Sequence, residues 1–287
     1  MKKILLATDF SERSDRALRR ATLLARQFGA CLSIVHVVDD DQPRRIVDSE
    51  RNAASELLSE LRNTVQSVDG VSCETDVVLA DPFAGIARAA AEQTPDLLII
   101  GPHRREMLRD VFVGTTAERT IRSVSCPVLM VNAPPAGPYR HVMLTTDMSE
   151  GAANAVNVCA ALRIARGAQT SILHVFDAPA VHLVMGHTIP VDERQAYLDD
   201  QRKEASHALS AFVKSVDWRS IRQDVRQARN APAKEILVAA KDGSADLVVV
   251  GSHGRRGLAR FLLGSVAEEV LRQADCDVLV NPPSGTA

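Results

Sequence analysis

The residue types best suited to chemistry lie between Asp246 and Val266, DLVVVGSHGRRGLARFLLGSV. An apolar run, Leu247 to Val250, is followed by Gly251 and, three positions on, by Gly254; after nine further residues come Gly264 and Ser265, and VAEEVLRQA then has the apolar spacing of a helix. A strand, a glycine-bearing loop and a helix start in that order suit an anion such as phosphate. Glycine lets the main chain approach the anion closely and take positive φ, while free N–H groups at a helix N-terminus point at the charge. Ser265 can offer phosphate both its hydroxyl and its N–H, or can cap the helix. Arg255 and Arg256 carry guanidinium forks shaped for phosphate oxygens, although arginines in exposed loops are ordinarily just solvated. His253 stands in the same loop, where a strand-end histidine is ordinarily hydrogen-bonded scaffold.

The elements that would hold this loop are legible because the chain repeats itself. Residues 4–39 can be laid on residues 142–177 without a gap at an offset of 138, so that Thr8-Asp9, Ser11-Glu12, Gly29-Ala30 and His36-Val37 recur as Thr146-Asp147, Ser149-Glu150, Gly167-Ala168 and His174-Val175. DLLIIGPH at 96–103 matches DLVVVGSH at 246–253 at an offset of 150, which leaves 12 extra residues in the second copy around Ala178–Glu193. NAPPAGPY, Asn132 to Tyr139, has the proline and glycine density of a linker. We therefore expect two domains, residues 1–133 and 139–283.

In the first copy the patterns predict strands at Lys3–Thr8, Cys31–Val38, Cys73–Leu79, Asp96–Ile100 and Pro127–Val131. Helices are predicted at Ser14–Phe28, Arg45–Val68, Pro82–Gln93 and Thr115–Ser123, and the second copy repeats the order with a helix at Arg194–Val216. Such alternation predicts an α/β fold: two tandem doubly wound domains, each a five-stranded parallel sheet with helices on both faces. In that architecture ligands bind at the carboxyl ends of strands where strand order reverses. Both Thr146-Asp147 and the loop from Gly251 fall at that edge. The Asp147 carboxylate can accept from both hydroxyls of a ribose, or can cap the following helix, a role Ser149 would fill equally well.

Composition limits the alternatives. The 287 residues are 46% hydrophobic and 24% charged with a net charge of −2, which gives no basic face for nucleic acid, and no stretch approaches the roughly 18 apolar residues of a membrane helix. The five cysteines are widely spaced, without a CxxC pair, and mostly lie in apolar segments. Buried free thiols in a reducing cytoplasm are the expectation, with no metal site.

A strand ending T-D-x-S-E, a second strand ending H-V, and a late G-x-x-G followed nine residues on by G-S or G-T resemble the universal stress protein family in its tandem form, over the whole chain and twice. The resemblance implies ATP as ligand. In ATP-binding members the carboxylate after the first strand contacts ribose, a main-chain position at the end of the second strand contacts adenine, and the glycine loop holds the phosphates. Carried over, the candidate set is Asp147, Val175, Gly251, His253, Gly254, Arg255, Gly264, Ser265 and Val266, with Asp9, Val37, Gly101, Gly114 and Thr115 as the weaker set of the first copy. Mg2+ would accompany the triphosphate, held mostly by phosphates and water. Family domains also pair through their last strands, so the two halves are expected to form an internal pseudo-dimer, with a homodimer open as a further assembly.

The first copy departs from the motif at one place. Its loop reads GPHRREMLRDVFVGT, so that Arg104 stands where the second copy has Gly254, and Met107 where it has Gly257. A side chain there is expected to weaken or abolish the first site. Three classes of function fit these patterns: a nucleotide-binding regulatory protein, a nucleotide-independent scaffold or chaperone-like protein, and a slow ATP hydrolase. The chain has no G-x-x-x-x-G-K-[ST] loop, no H-E-x-x-H and no nucleophile elbow, so no catalytic residue is assigned.

Overall fold

Each copy opens with a strand pinned at its start by the same device. Asp96 accepts the main-chain N–H groups of Lys2 and Lys3, the latter at 3.0 Å, and in the second copy Asp246 accepts those of Arg140 and His141 at 2.8 and 3.0 Å. The elements that follow are those of a computed structural model that describes residues 1–102, 116–178, 191–216, 218, 220–252 and 263–282.

The first copy contains β1 (Lys3–Thr8), α1 (Glu12–Phe28), β2 (Cys31–Val38), α2 (Arg44–Ser67), β3 (Cys73–Leu79), α3 (Pro82–Gln93), β4 (Leu97–Ile100), α4 (Thr116–Ser123) and β5 (Val128–Met130). The second contains β6 (His141–Thr146), α5 (Glu150–Leu162), β7 (Gln169–Phe176), α6 (Val191–Ser215), β8 (Arg222–Gln227), α7 (Pro232–Asp242), β9 (Leu247–Gly251), α8 (Ser265–Gln273) and β10 (Asp277–Asn281). Boundaries shift by a few residues from expectation where capping decides them. Helix α1 starts at Glu12 because Ser11 is its cap, with Oγ accepting the Ser14 N–H, and it stops at Gly29, whose φ of 62° is left-handed.

All strands within a copy are parallel, in the order β3-β2-β1-β4-β5, and the copies join into one ten-stranded sheet through an antiparallel β5–β10 pair that sets Leu129 opposite Leu279. The expected pairing of the halves through their last strands is thus present, and it joins the two five-stranded parallel sheets into one continuous sheet. Two apolar layers cover its faces. Ile4, Ala17, Leu58, Ala155 and Leu209 belong to one, and Leu5, Ile86, Ile121, Ile236 and Val270 to the other, and each layer runs across both copies. Strand order reverses between β1 and β4, and between β6 and β9, which fixes where a ligand crevice opens.

A buried polar cluster ties the junction. Asp277 at the start of β10 accepts from Arg20 Nε of α1 (3.1 Å), Tyr139 OH (2.6 Å) and the main-chain N–H groups of Asn132 (3.0 Å) and Ala133 (3.2 Å). Arg20 also donates to the Gly137 carbonyl at 2.7 Å and lies over the Tyr139 ring. All five cysteines are free thiols, and burial pushes Cys159 and Cys276 up to about 12. Among the described residues no helix is long and apolar enough to cross a membrane.

Candidate functional site

Strand β6 ends at Thr146 in register with His174 of β7. In a parallel ladder that rung joins the Val175 N–H to the Thr146 carbonyl, and the next rung would join the Met148 N–H to the Val175 carbonyl. That rung is not made. Met148 takes φ of 64°, and its N–H turns back to Thr146 Oγ1 at 2.8 Å. The Val175 carbonyl therefore lies past the end of the β6–β7 ladder, facing the Asp147 elbow.

The elbow is held by a relay of short bonds. His174 Nδ1 lies 2.8 Å from the Thr146 carbonyl and so carries the proton of that bond. Asp147 Oδ1 accepts the Ser149 N–H at 3.0 Å, and Ser149 Oγ accepts the Ala152 N–H at 3.2 Å. Ser149, with φ −77° and ψ 164°, is the N-cap of α5, so Asp147 is not the cap of that helix. Its half-buried carboxylate sits at the mouth of the crevice.

Across the reversal of strand order, β9 ends at Gly251. A Cβ there would come 3.3 Å from the Gly151 carbonyl oxygen and 3.4 Å from Ala152 Cα, so the glycine lets β9 lie directly against the first turn of α5. The Gly264 N–H returns to the Ser252 carbonyl at 2.7 Å, which brings the start of α8 back to the end of β9. Gly264 is the N-cap of α8, with φ −64°, ψ 145° and no side-chain bond. Ser265 is the exposed first residue of the helix and does not cap it, and neither Gly251 nor Gly264 is used for positive φ. With no side chain on the cap, the first-turn N–H groups, those of Ser265 and Val266 included, receive no side-chain acceptor from it.

His253, Gly254 and Arg255 lie outside the described residues, as do Gly114, Thr115, Arg104 and most of the insertion at 178–193. In the first copy the elbow recurs: Phe10 has φ 57°, its N–H goes to Thr8 Oγ1 at 3.1 Å, and His36 Nδ1 lies 2.8 Å from the Thr8 carbonyl. Val37 occupies the place of Val175, and Gly101 packs on the Arg13 carbonyl as Gly251 packs on Gly151. The carboxylate differs. Asp9 Oδ1 takes the Ser11 N–H (3.0 Å), the Ser11 hydroxyl (2.5 Å) and the Ser14 hydroxyl, whereas Ala152 stands at the position of Ser14 in the second copy. Burial raises the Asp9 carboxyl, but these bonds and the charge of Arg13 outweigh it and hold the group below its usual range.

Sequence reasoning named Asp147 and Val175 but missed Thr146, whose hydroxyl diverts the Met148 N–H. The signal was the recurrence of Thr-Asp as a pair. It also missed Glu235, 9% exposed in the first turn of α7, whose Oε1 accepts from the Asn230 main chain at 3.1 Å and side chain at 3.2 Å and so shapes the loop after β8. Among the described residues no group of His, Cys, Asp and Glu is arranged to hold a metal ion.

The Usp (universal stress protein family) model matches residues 1–132 and again 138–282. A universal stress protein of Mycobacterium tuberculosis is 25% identical over 304 residues, covering 96% of each chain. Universal stress protein E of Salmonella typhi is 25% identical over 298 residues, covering 98% of this chain and 94% of its own. The crystal structure of a universal stress protein from Archaeoglobus fulgidus superposes with a TM-score of 0.70 at 18% identity, covering 99% of this chain and 98% of that one.

Proposed function

The chain belongs to the universal stress protein family, and from that premise we propose that it is an ATP-binding regulatory protein whose working nucleotide site lies in the second domain, with domains at 1–133 and 139–283. The observation that carries the reading is a set of groups along one edge: the Val175 carbonyl past its ladder, the Asp147 carboxylate, and the N-terminus of α8, whose glycine cap brings no side chain. They fit the adenine, ribose and phosphates of one nucleotide in the order the family resemblance gives. Asp147 would take the ribose hydroxyls. The N–H groups of Ser265 and Val266, with the glycine loop and Arg255, would hold phosphate, and Mg2+ would be held mainly by phosphate and water. ATP binding would then shift the population of a partner-binding state.

The first domain keeps the elbow at Asp9 and Val37 but has Arg104 in place of the second loop glycine, so we assign it weak or no binding. Isothermal titration calorimetry of the full chain is expected to give about one ATP per chain. Two would overturn the asymmetric assignment, and none would favour a nucleotide-independent scaffold. Gly254→Arg copies the first domain's residue into the second, and undiminished ATP binding by that variant would refute the role given to Gly254.

A further inference from the structure

Resting on the nucleotide reading above, we propose that Thr146 is a positioning residue of the second-domain site: its hydroxyl holds the left-handed main chain at Met148 and so keeps the Val175 carbonyl open as an acceptor for a 6-aminopurine. The argument is one of competing hydrogen bonds. The rung Thr146–His174 is the last between β6 and β7, and the next donor in line for the Val175 carbonyl is the Met148 N–H. A methionine is disfavoured at φ 64°, because its Cβ crowds the main chain. Left to its own preference it would relax to negative φ, and its N–H would swing towards the strand partner. Thr146 Oγ1, 2.8 Å from that N–H, supplies the alternative acceptor that keeps it away. The Thr146 carbonyl accepts the Val175 N–H and the His174 ring as well, so one residue holds both strand ends and the turn.

An open carbonyl at the end of β7 reads one feature of a purine. It accepts a hydrogen bond from the 6-amino group of adenine and faces an oxygen lone pair in a 6-oxopurine, which it repels. The Thr146 hydroxyl thereby acts on base selection without touching the base. Glycine at position 148 would take φ 64° unaided, so the hydroxyl and the methionine form a coupled pair: the first is needed because of the second.

The test compares ATP with ITP, in which the 6-amino donor becomes a 6-oxo acceptor and N1 gains a hydrogen, by equilibrium titration of the full chain. Wild type is expected to prefer ATP. Thr146→Val should weaken ATP roughly tenfold while leaving ITP nearly unchanged, as loss of one buried hydrogen bond implies. Thr146→Ser keeps the hydroxyl and should bind as wild type does. Thr146→Val combined with Met148→Gly should recover both affinity and preference. If Thr146→Val does not fold alone, the comparison of Met148→Gly with the double variant decides, since the two should bind ATP alike. Equal loss for ATP and ITP, an unchanged ratio, or a double variant several-fold weaker than Met148→Gly would overturn the proposal. A wild-type chain that binds no nucleotide would instead overturn the nucleotide reading, and this inference with it.

Discussion

Asp277→Asn is the perturbation that most directly probes what joins the two halves. The carboxylate is 0% exposed and takes two donors on each oxygen, Arg20 Nε and Tyr139 OH on Oδ2, and the Asn132 and Ala133 N–H groups on Oδ1. An asparagine amide replaces one of those oxygens by an NH2 group in either orientation, so two of the four donors then face a donor. Arg20, itself 4% exposed, also loses its counter-charge. A buried charge left without its partner costs about 3–5 kcal/mol, and each unmet buried donor about 1–3 kcal/mol, with heavy overlap between them. We expect a loss of about 4 kcal/mol, a large share of the 5–15 kcal/mol that holds an ordinary domain together. Urea unfolding followed by the fluorescence of the sole tryptophan, Trp218, and by circular dichroism measures it, with the midpoint falling by about 1 M or more. A loss under about 1 kcal/mol would refute the assignment of the cluster as the junction's main polar tie. Arg20→Met combined with Asp277→Asn should cost less than the two single losses added, because the second change removes a charge already orphaned by the first.

Two further outcomes follow from the junction. Burial, with the neighbouring Asp277 charge, pushes the Tyr139 phenol well above its ordinary value near 10, so the folded chain stays neutral there while the unfolded chain ionises. The folded pKa is the higher one, so this contribution is complete below about pH 10 and declines as pH rises beyond it; Tyr139→Phe should lack that part of the decline in melting temperature. Leu279, 1% exposed and opposite Leu129 in the β5–β10 pair, should not tolerate charge. Leu279→Asp is expected to lower stability by about 3 kcal/mol or more in thermal melts, and an unchanged melting temperature would contradict a shared sheet.

Most of the strand and helix pattern was legible because both copies print it, and because the buried strands are apolar throughout. The elements least well bounded are those set by local capping: α1 begins at Glu12 since the Ser11 hydroxyl takes the Ser14 N–H, a bond that periodicity does not encode. The single sheet was less legible. Apolar last strands at Val128–Met130 and Asp277–Asn281 imply that each edge must be covered, but the Leu129–Leu279 register and the Arg20–Asp277 tie join residues from different copies. The repeat hides that tie, since the counterparts of Arg20 and Asp277 in the other copy are Val158 and Pro127. At the site, Asp147 and Val175 were read from the motif, whereas the use of Thr146 depends on a left-handed turn at Met148 that side-chain type alone does not announce.

The two copies also act as controls for one another, and this limits what the elbow can mean. Thr8, Phe10 and His36 make the same bonds as Thr146, Met148 and His174, so the elbow is a shared means of turning a parallel strand into a helix, and its presence alone does not mark a nucleotide site. Discrimination must come from what differs. Ser14 adds a third donor to the Asp9 carboxylate where Ala152 adds none, and Arg104 replaces Gly254 in the loop sequence. Both differences fall at residues of the nucleotide site proposed above: the Asp9 carboxylate takes an added side-chain hydroxyl, and the loop sequence has arginine in place of glycine. With three donors already on Asp9 Oδ1, a ribose would be left to Oδ2 of that carboxylate.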